Sequence, residues 1–215
     1  MAEITIIMPS FNKEKYIKEA LDSVFMQETS YDFNIIAADD HSTDNTLDII
    51  KEYQEKYPGK ITLLASETNQ KLYKNVIRAY AQTKTEYFCV LDPDDFWIDK
   101  HKIQKALDFL EAHKEYSIYV TDTLAQHLDG KREKFIKRKH RAESSFDDFL
   151  NKKAALGCTL GSVFRNVIFK NGLPEKMLNL PSDTAEMTFR GDAFRSIIHL
   201  HEGKAHLEPY EDAVY

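Results

Sequence analysis

The chain has 215 residues and a formal charge of −6, with 42% hydrophobic and 30% charged residues. That length supports one sizeable core, the balance excludes a disordered or fibrous chain, and the acidic excess leaves no footprint for bulk nucleic-acid binding. Two cysteines, Cys89 and Cys158, exclude a disulfide framework and make a reducing cytoplasm the default setting.

The first predicted element is ITIIM (Ile4 to Met8), an apolar strand too short for the core of a secretory leader. No apolar run in the sequence approaches the length of a membrane span. A turn follows at PSFN (Pro9 to Asn12), with Asn12 as a helix N-cap. Tyr16, Ile17, Ala20, Leu21, Val24 and Phe25 then recur at helical spacing. FNIIAA (Phe33 to Ala38) is a second strand. Beyond it, Asp39 and Asp40 emerge at a strand end, where a carboxylate accepts from a base N–H or a ribose hydroxyl. Ser42 or Thr43 caps the next helix, and Asp44 suits its positive N-terminus. That helix carries Leu47, Ile49, Ile50 and Tyr53 and stops at Pro58-Gly59. ITLLA (Ile61 to Ala65) is a third strand, and a third helix places Leu72, Val76, Ile77 and Tyr80 on one face. The fourth strand, EYFCV (Glu86 to Val90), holds Cys89 as a small core residue.

That strand runs into LDPDDFW (Leu91 to Trp97), the most informative stretch of the chain. Asp92, Asp94 and Asp95 crowd around Pro93, and carboxylates so placed repel one another unless a cation joins them. A hard divalent ion, Mg²⁺ or Mn²⁺, takes oxygen ligands. Mg²⁺ binds through one or two carboxylates plus substrate phosphates, which makes a nucleotide diphosphate the first ligand to consider. The bland reading of an isolated DxD is a solvated acidic turn.

The second half is less regular. Ile103, Leu107 and Leu110 mark a helix, and SIYVTD (Ser117 to Asp122) a strand. KREKFIKRKHR (131–141) reads as a solvated loop or hairpin, with a binding edge for lipid-linked diphosphate or anionic lipid as the sharper alternative. TLGSVFR (Thr159 to Arg165) is a further strand, a helix spans 184–199, and a short strand lies around HLEPY (206–210). His199, His201 and His206 fit no zinc spacing and read as solvated helix-end residues. Strands alternating with helices imply an α/β chain with parallel pairing. Ligands of such sheets lie at the carboxyl ends of the strands, near a switch in strand order.

Three strand-end motifs, PSFN (Pro9 to Asn12), DDHSTD (Asp39 to Asp44) and DPDDFW (Asp92 to Trp97), together resemble the GT-A glycosyltransferases of family 2, which are inverting nucleotide-sugar enzymes. The resemblance is close over residues 4–112 and looser beyond. It implies a GT-A, Rossmann-like, mainly parallel sheet flanked by helices in a single domain 1–215. Residues 1–112 would form the nucleotide-sugar-binding half, and 113–215 a smaller acceptor half. By that resemblance Asp40, with Asp39, contacts the base, and Pro9, Phe11 and Asn12 lie against it. Asp92 reaches the ribose or the metal-bound water. Asp94, with Asp92, holds the Mn²⁺ or Mg²⁺ that bridges the diphosphate. Asp95 completes this site or orients the acceptor. Asn75 stands where many relatives carry an Asn facing the donor, although KLYKNVIRAY lacks their usual glycine. His41 replaces the glycine of the usual DDGS turn, and a left-handed histidine is preferred to a ligand contact.

An inverting transfer is an in-line displacement, so a base must take the acceptor proton. The resemblance places it at GDAF (Gly191 to Phe194), naming Asp192, with Glu186 and Asp183 as fallbacks. The implied activity moves a sugar from a UDP-linked donor to a saccharide or lipid-linked saccharide. The implied setting is bacterial capsule or O-antigen assembly on the cytoplasmic face of the membrane, with peripheral contact through 131–141. The chain stops at AVY where relatives continue past VYR, which reads as a short member or a truncated chain. Two rivals remain: a non-catalytic nucleotide-sugar-binding protein, and a sugar-nucleotide nucleotidylyltransferase, whose glycine-rich phosphate loop PSFNKEKY lacks.

Overall fold

Strand β1 (Ile4–Ser10) is buried at all seven positions in the computed structural model, which describes residues 3–127, 129–135, 142–154, 156, 158–178 and 191–215. A strand covered on both faces reads as an unbroken apolar run, and this is the signature of a parallel sheet between helix layers. β1 pairs in parallel with β2 (Phe33–Asp39) on one side and β4 (Tyr87–Val90) on the other, and β3 (Ile61–Ala65) extends the sheet beyond β2. Alternate residues serve opposite layers. Ile4, Ile6 and Met8 pack with α1 (Ile17–Phe25), α2 (Thr46–Lys56) and α4 (Lys102–Ala112). Ile7 packs with Val76, Ala79 and Tyr80 of α3 (Lys71–Gln82) and with Leu200 of α7 (Gly191–Glu202). Each such fully buried Ile or Leu contributes roughly 1.5–3 kcal/mol relative to exposure.

The second half enters the same sheet with mixed direction. β9 (Ser162–Arg165) lies antiparallel between β4 and β6 (Tyr116–Gln126). β10 (Lys204–Val214) runs parallel to β6, and its end holds β5 (Phe96–Trp97) antiparallel. The order is β3-β2-β1-β4-β9-β6-β10-β5, with β7 (Arg132–Lys134) on β6 and β8 (Glu143–Ser144) on β10. The parallel core is therefore the expected one, and antiparallel strands complete it. α5 (Phe146–Leu150) and α6 (Glu175–Leu178) are short. Between β1 and β4 the strand order reverses, which marks the switch point.

Several local expectations change. α1 begins after Tyr16, and Asn12 sits before it in a left-handed conformation (φ 52°) rather than capping it. The residue preceding α2 is Asn45, so neither Ser42 nor Thr43 is its cap. Leu72 is 64% exposed, and α3 buries Tyr73, Asn75, Val76, Ala79 and Tyr80 instead. The Tyr73 hydroxyl donates to the Met177 carbonyl, which turns that side chain inward and leaves Leu72 outside. His199 is wholly buried among Phe88, Phe164 and Phe169, not solvated at a helix end. TLG forms a short 3-10 turn ahead of β9. Gly161 is required there, because a Cβ would lie 2.5 Å from the Thr121 carbonyl oxygen. Asp183, Glu186 and residues 136–141 of the basic stretch lie outside the described residues.

Candidate active site

The turns after β1 and β2 are laced together residue by residue. The Asn12 N–H donates to Ser42 Oγ (3.0 Å), and Asn12 Oδ1 accepts from the Thr43 N–H (2.8 Å). The Lys13 N–H donates to Thr46 Oγ1 (2.7 Å). The Glu14 N–H donates to Asp44 Oδ2 (3.1 Å), while Glu14 Oε2 accepts from the Asn45 N–H (3.1 Å) and side-chain amide (3.0 Å). Asp39, 1% exposed, spends its carboxylate inside the second turn, accepting from the Ser42 N–H (3.0 Å) and hydroxyl (2.5 Å). His41 takes the left-handed conformation (φ 64°) that the missing glycine demanded. Much of the DDHSTD pattern thus builds a turn.

This pair of turns borders a cavity of about 510 Å³ at the carboxyl ends of β1, β2 and β4. It gathers Pro9, Phe11, Asp40, Asn75, Asp92 and Asp94 from the expected set. Pro9 is tolerated within β1 because pairing with β4 has ended at Ile7. Phe11 is 44% exposed and offers its ring to the opening. Asp40 is 2% exposed, and its Oδ1 accepts from the Gln70 N–H (2.8 Å). Asn75 is engaged at both ends: Nδ2 donates to the Ala38 carbonyl (2.7 Å) and Oδ1 accepts from Arg78 (2.6 Å). It shapes the wall as a brace between α3 and β2.

Asn12, Asp39 and Asp95 are not among the lining residues. Asp192 lies in the first turn of α7, and its side chain is outside what the structure describes. Lys13, Asn69, Lys71 and Leu72 also line the cavity; the first three carry no motif in the sequence, and Leu72 reads there as part of an apolar helix face. The signal was available in part: residues 69–72 follow β3, whose carboxyl end opens on the same side as its neighbours'.

The carboxylates of the DPDD turn are electrostatically crowded. The Asp95 N–H donates to the Asp92 carbonyl (2.9 Å), which closes the turn. Burial pushes the Asp95 carboxyl up to about 8, and the charges of Asp92 and Asp94 add to that rise. Asp94 is 44% exposed and forms an ion pair with Lys13 Nζ at 2.5 Å. Among the described residues no group of three or more His, Cys, Asp or Glu is placed to hold a metal. Asp92 and Asp94 nevertheless fit a hard divalent ion that draws its remaining ligands from water and a diphosphate. Crowded oxygen donors, one already holding a cation, are the chemistry such an ion needs.

The model of glycosyl transferase family 2 matches residues 5–173. The chain belongs to that family. It is 33% identical over 156 residues to the dTDP-rhamnosyl transferase RfbG of Shigella flexneri, covering 71% of this chain and 52% of that one. Over 117 residues it is 35% identical to the poly(ribitol-phosphate) beta-N-acetylglucosaminyltransferase TarS of Staphylococcus aureus, covering 53% of this chain and 20% of TarS. The structure of TarS 1–349 with UDP superposes with a TM-score of 0.71 at 21% identity, over all of this chain and 60% of that one. The mannosyltransferase of Pyrobaculum calidifontis with GDP-Man and Mn²⁺ gives 0.68 at 19% identity, over 99% of this chain and 56% of that one. The chain thus shares the GT-A fold and spans about half the length of RfbG. Among the described residues no helix is long and apolar enough to cross a membrane.

Proposed function

We propose that this chain transfers a sugar, with inversion, from a UDP-linked donor to a saccharide or lipid-linked saccharide during bacterial surface-polysaccharide assembly. The observation that carries this reading is the cavity at the β1/β4 switch point, apolar along Pro9, Phe11 and Leu72 and acidic at Asp40, Asp92 and Asp94. Lys13 and Lys71 line it too, so a nucleotide diphosphate can lay its base on the apolar side and its phosphates against the lysines and an ion held by the carboxylates. Asp40 accepts from the base, Phe11 and Leu72 shed water against it, and Asp39 and Asn12 hold the turn that places them. Asp92 and Asp94 would hold Mn²⁺ or Mg²⁺. A bound divalent ion neutralises the diphosphate leaving group. Asp95 backs this pair from the interior, and Asp192 takes the proton of the acceptor hydroxyl.

In this reading residues 1–112 bind the donor and 113–215 the acceptor, within one domain on the cytoplasmic face of the membrane. The stretch 131–141 is the membrane-facing edge, and its described part, 131–135, is largely exposed. Calorimetric titration of UDP, GDP, CDP and dTDP, with and without Mn²⁺, tests the donor site. The expected outcome is Mn²⁺-dependent binding of UDP by the native protein, abolished in Asp94→Asn. Failure of every nucleotide to bind a folded sample overturns the assignment, and preference for another base corrects it.

A further inference from the structure

Lys13 places a cation on Asp94 of the DPDD turn. Its backbone has little freedom: the N–H is held by Thr46 Oγ1, and the carbonyl accepts from the Tyr16 and Ile17 N–H groups (both 3.0 Å). From that fixed base the side chain crosses the cavity to Asp94, 81 residues away in sequence, and its ammonium sits 2.5 Å from Oδ2. Both side chains remain partly open to solvent, at 31% and 44% exposure, so the pair is reachable and separable. Buried Asp95 and half-buried Asp92 add to the negative charge beside it. The ammonium takes one of the two oxygens that Asp94 can offer, and a divalent ion arriving on the same carboxylate meets its positive charge at close range.

We infer that Lys13 is a displaceable counter-ion: it occupies Asp94 in the empty site and moves to the donor's diphosphate once Asp94 takes up the divalent ion. The inference rests on the donor-site reading above. Its consequence is an order of events. Metal alone meets an occupied ligand and binds weakly, whereas metal arriving with a diphosphate offers the released ammonium a new anionic partner. Lys13 therefore opposes metal in the absence of nucleotide and favours nucleotide in the presence of metal. It is a positioning residue, and a merely structural lysine would not produce that crossed effect.

The test is a pair of titrations on wild type, Lys13→Met, Lys13→Arg and Asp94→Asn. Mn²⁺ alone is followed by the electron-paramagnetic signal of the free ion, and UDP in saturating Mn²⁺ by calorimetry. Lys13→Met is expected to bind Mn²⁺ alone roughly fivefold more tightly, the scale of a partly exposed ion pair, and to bind UDP more weakly. Lys13→Arg, which keeps the cation, should resemble wild type in both titrations, while Asp94→Asn loses Mn²⁺ binding. Mn²⁺ affinity that is unchanged, weaker or undetectable in Lys13→Met overturns the inference. A failure of the underlying donor-site reading looks different: no protein then binds UDP, while the Mn²⁺ comparison still decides whether Lys13 competes for Asp94.

Discussion

The two halves of this sheet are stabilised by different chemistry. Around β1 the core is mostly apolar on both faces, its inner polar groups include the uncharged Thr5 and Asn75, and the carboxylates gather in the turns at the strand ends. Around β6 and β10 ionisable groups sit inside. Lys102 and Asp212 are both fully buried, 2.7 Å apart, and Thr121 donates to Asp212 Oδ1 at 2.7 Å. Burial raises the Asp212 carboxyl, and the Lys102 charge opposes that rise. His199 and Arg195 are buried beside Phe164. The first arrangement needs only pattern; the second needs each partner to be present. A core built from partnered charges is sensitive to single losses in a way that an apolar core of similar size is not.

The largest expected effect breaks that partnership. Asp212→Ala strands the Lys102 ammonium in the interior and should cost about 3–5 kcal/mol in denaturant unfolding. The double variant Lys102→Met/Asp212→Leu should recover most of it, because no charge is then left unpaired. A double variant no better than the single one would sink the claim that stranded charge is the cause.

The next effect is a pH dependence confined to the second half. Burial against Phe88, Phe164 and Phe169, with the Arg195 charge nearby, lowers His199 from 6.5 to about 4, although its Nδ1–H donates to the Arg195 carbonyl (2.7 Å). Between those values the unfolded chain takes up a proton that the folded chain refuses. Stability is therefore complete above pH about 6.5 and declines as the pH falls to about 4, by on the order of 3 kcal/mol. Urea midpoints at pH 7.5 and 4.5 should differ less in His199→Gln than in the native chain. Equal differences would remove His199 as the source.

A smaller effect concerns the strand-end turns. Asn12→Ala removes the acceptor of the Thr43 N–H and places alanine at φ 52°, which should cost about 1–2 kcal/mol. Nucleotide titration should show weaker binding as the cavity wall loosens. The smallest is His41→Gly, which relieves a left-handed residue but adds freedom to the unfolded chain. Stability should rise by about 0.5 kcal/mol or less, with UDP affinity unchanged; an altered affinity would instead make His41 a ligand contact.

This contrast also explains what could be read from the sequence. Alternating strands and helices, and the turns PSFN, DDHSTD and DPDD, placed most of the cavity because apolar periodicity and strand-end acidity are local signals. Lys13 was invisible because its partner Asp94 is 81 residues away and a lone lysine after a turn carries no pattern. Leu72 was taken for core because period alone does not say which of two adjacent apolar residues turns inward. The hydrogen bonds of Asp39 to Ser42 were not legible because they appear only once the turn is folded. Lys102, Arg195, His199 and Asp212 were unreadable as core for a simple reason: charged residues are rarely buried unless paired, and pairing is a property of the fold.

The lacing of the first two turns has a consequence for recombination between relatives. Asn12, Lys13 and Glu14 are each held by a side chain or backbone group between Ser42 and Thr46, roughly thirty residues downstream. The two loops therefore form a single exchangeable cassette that is discontinuous in the gene. A chimera that imports one loop from another glycosyltransferase inherits half of a lock, whereas one that imports both carries the lock whole.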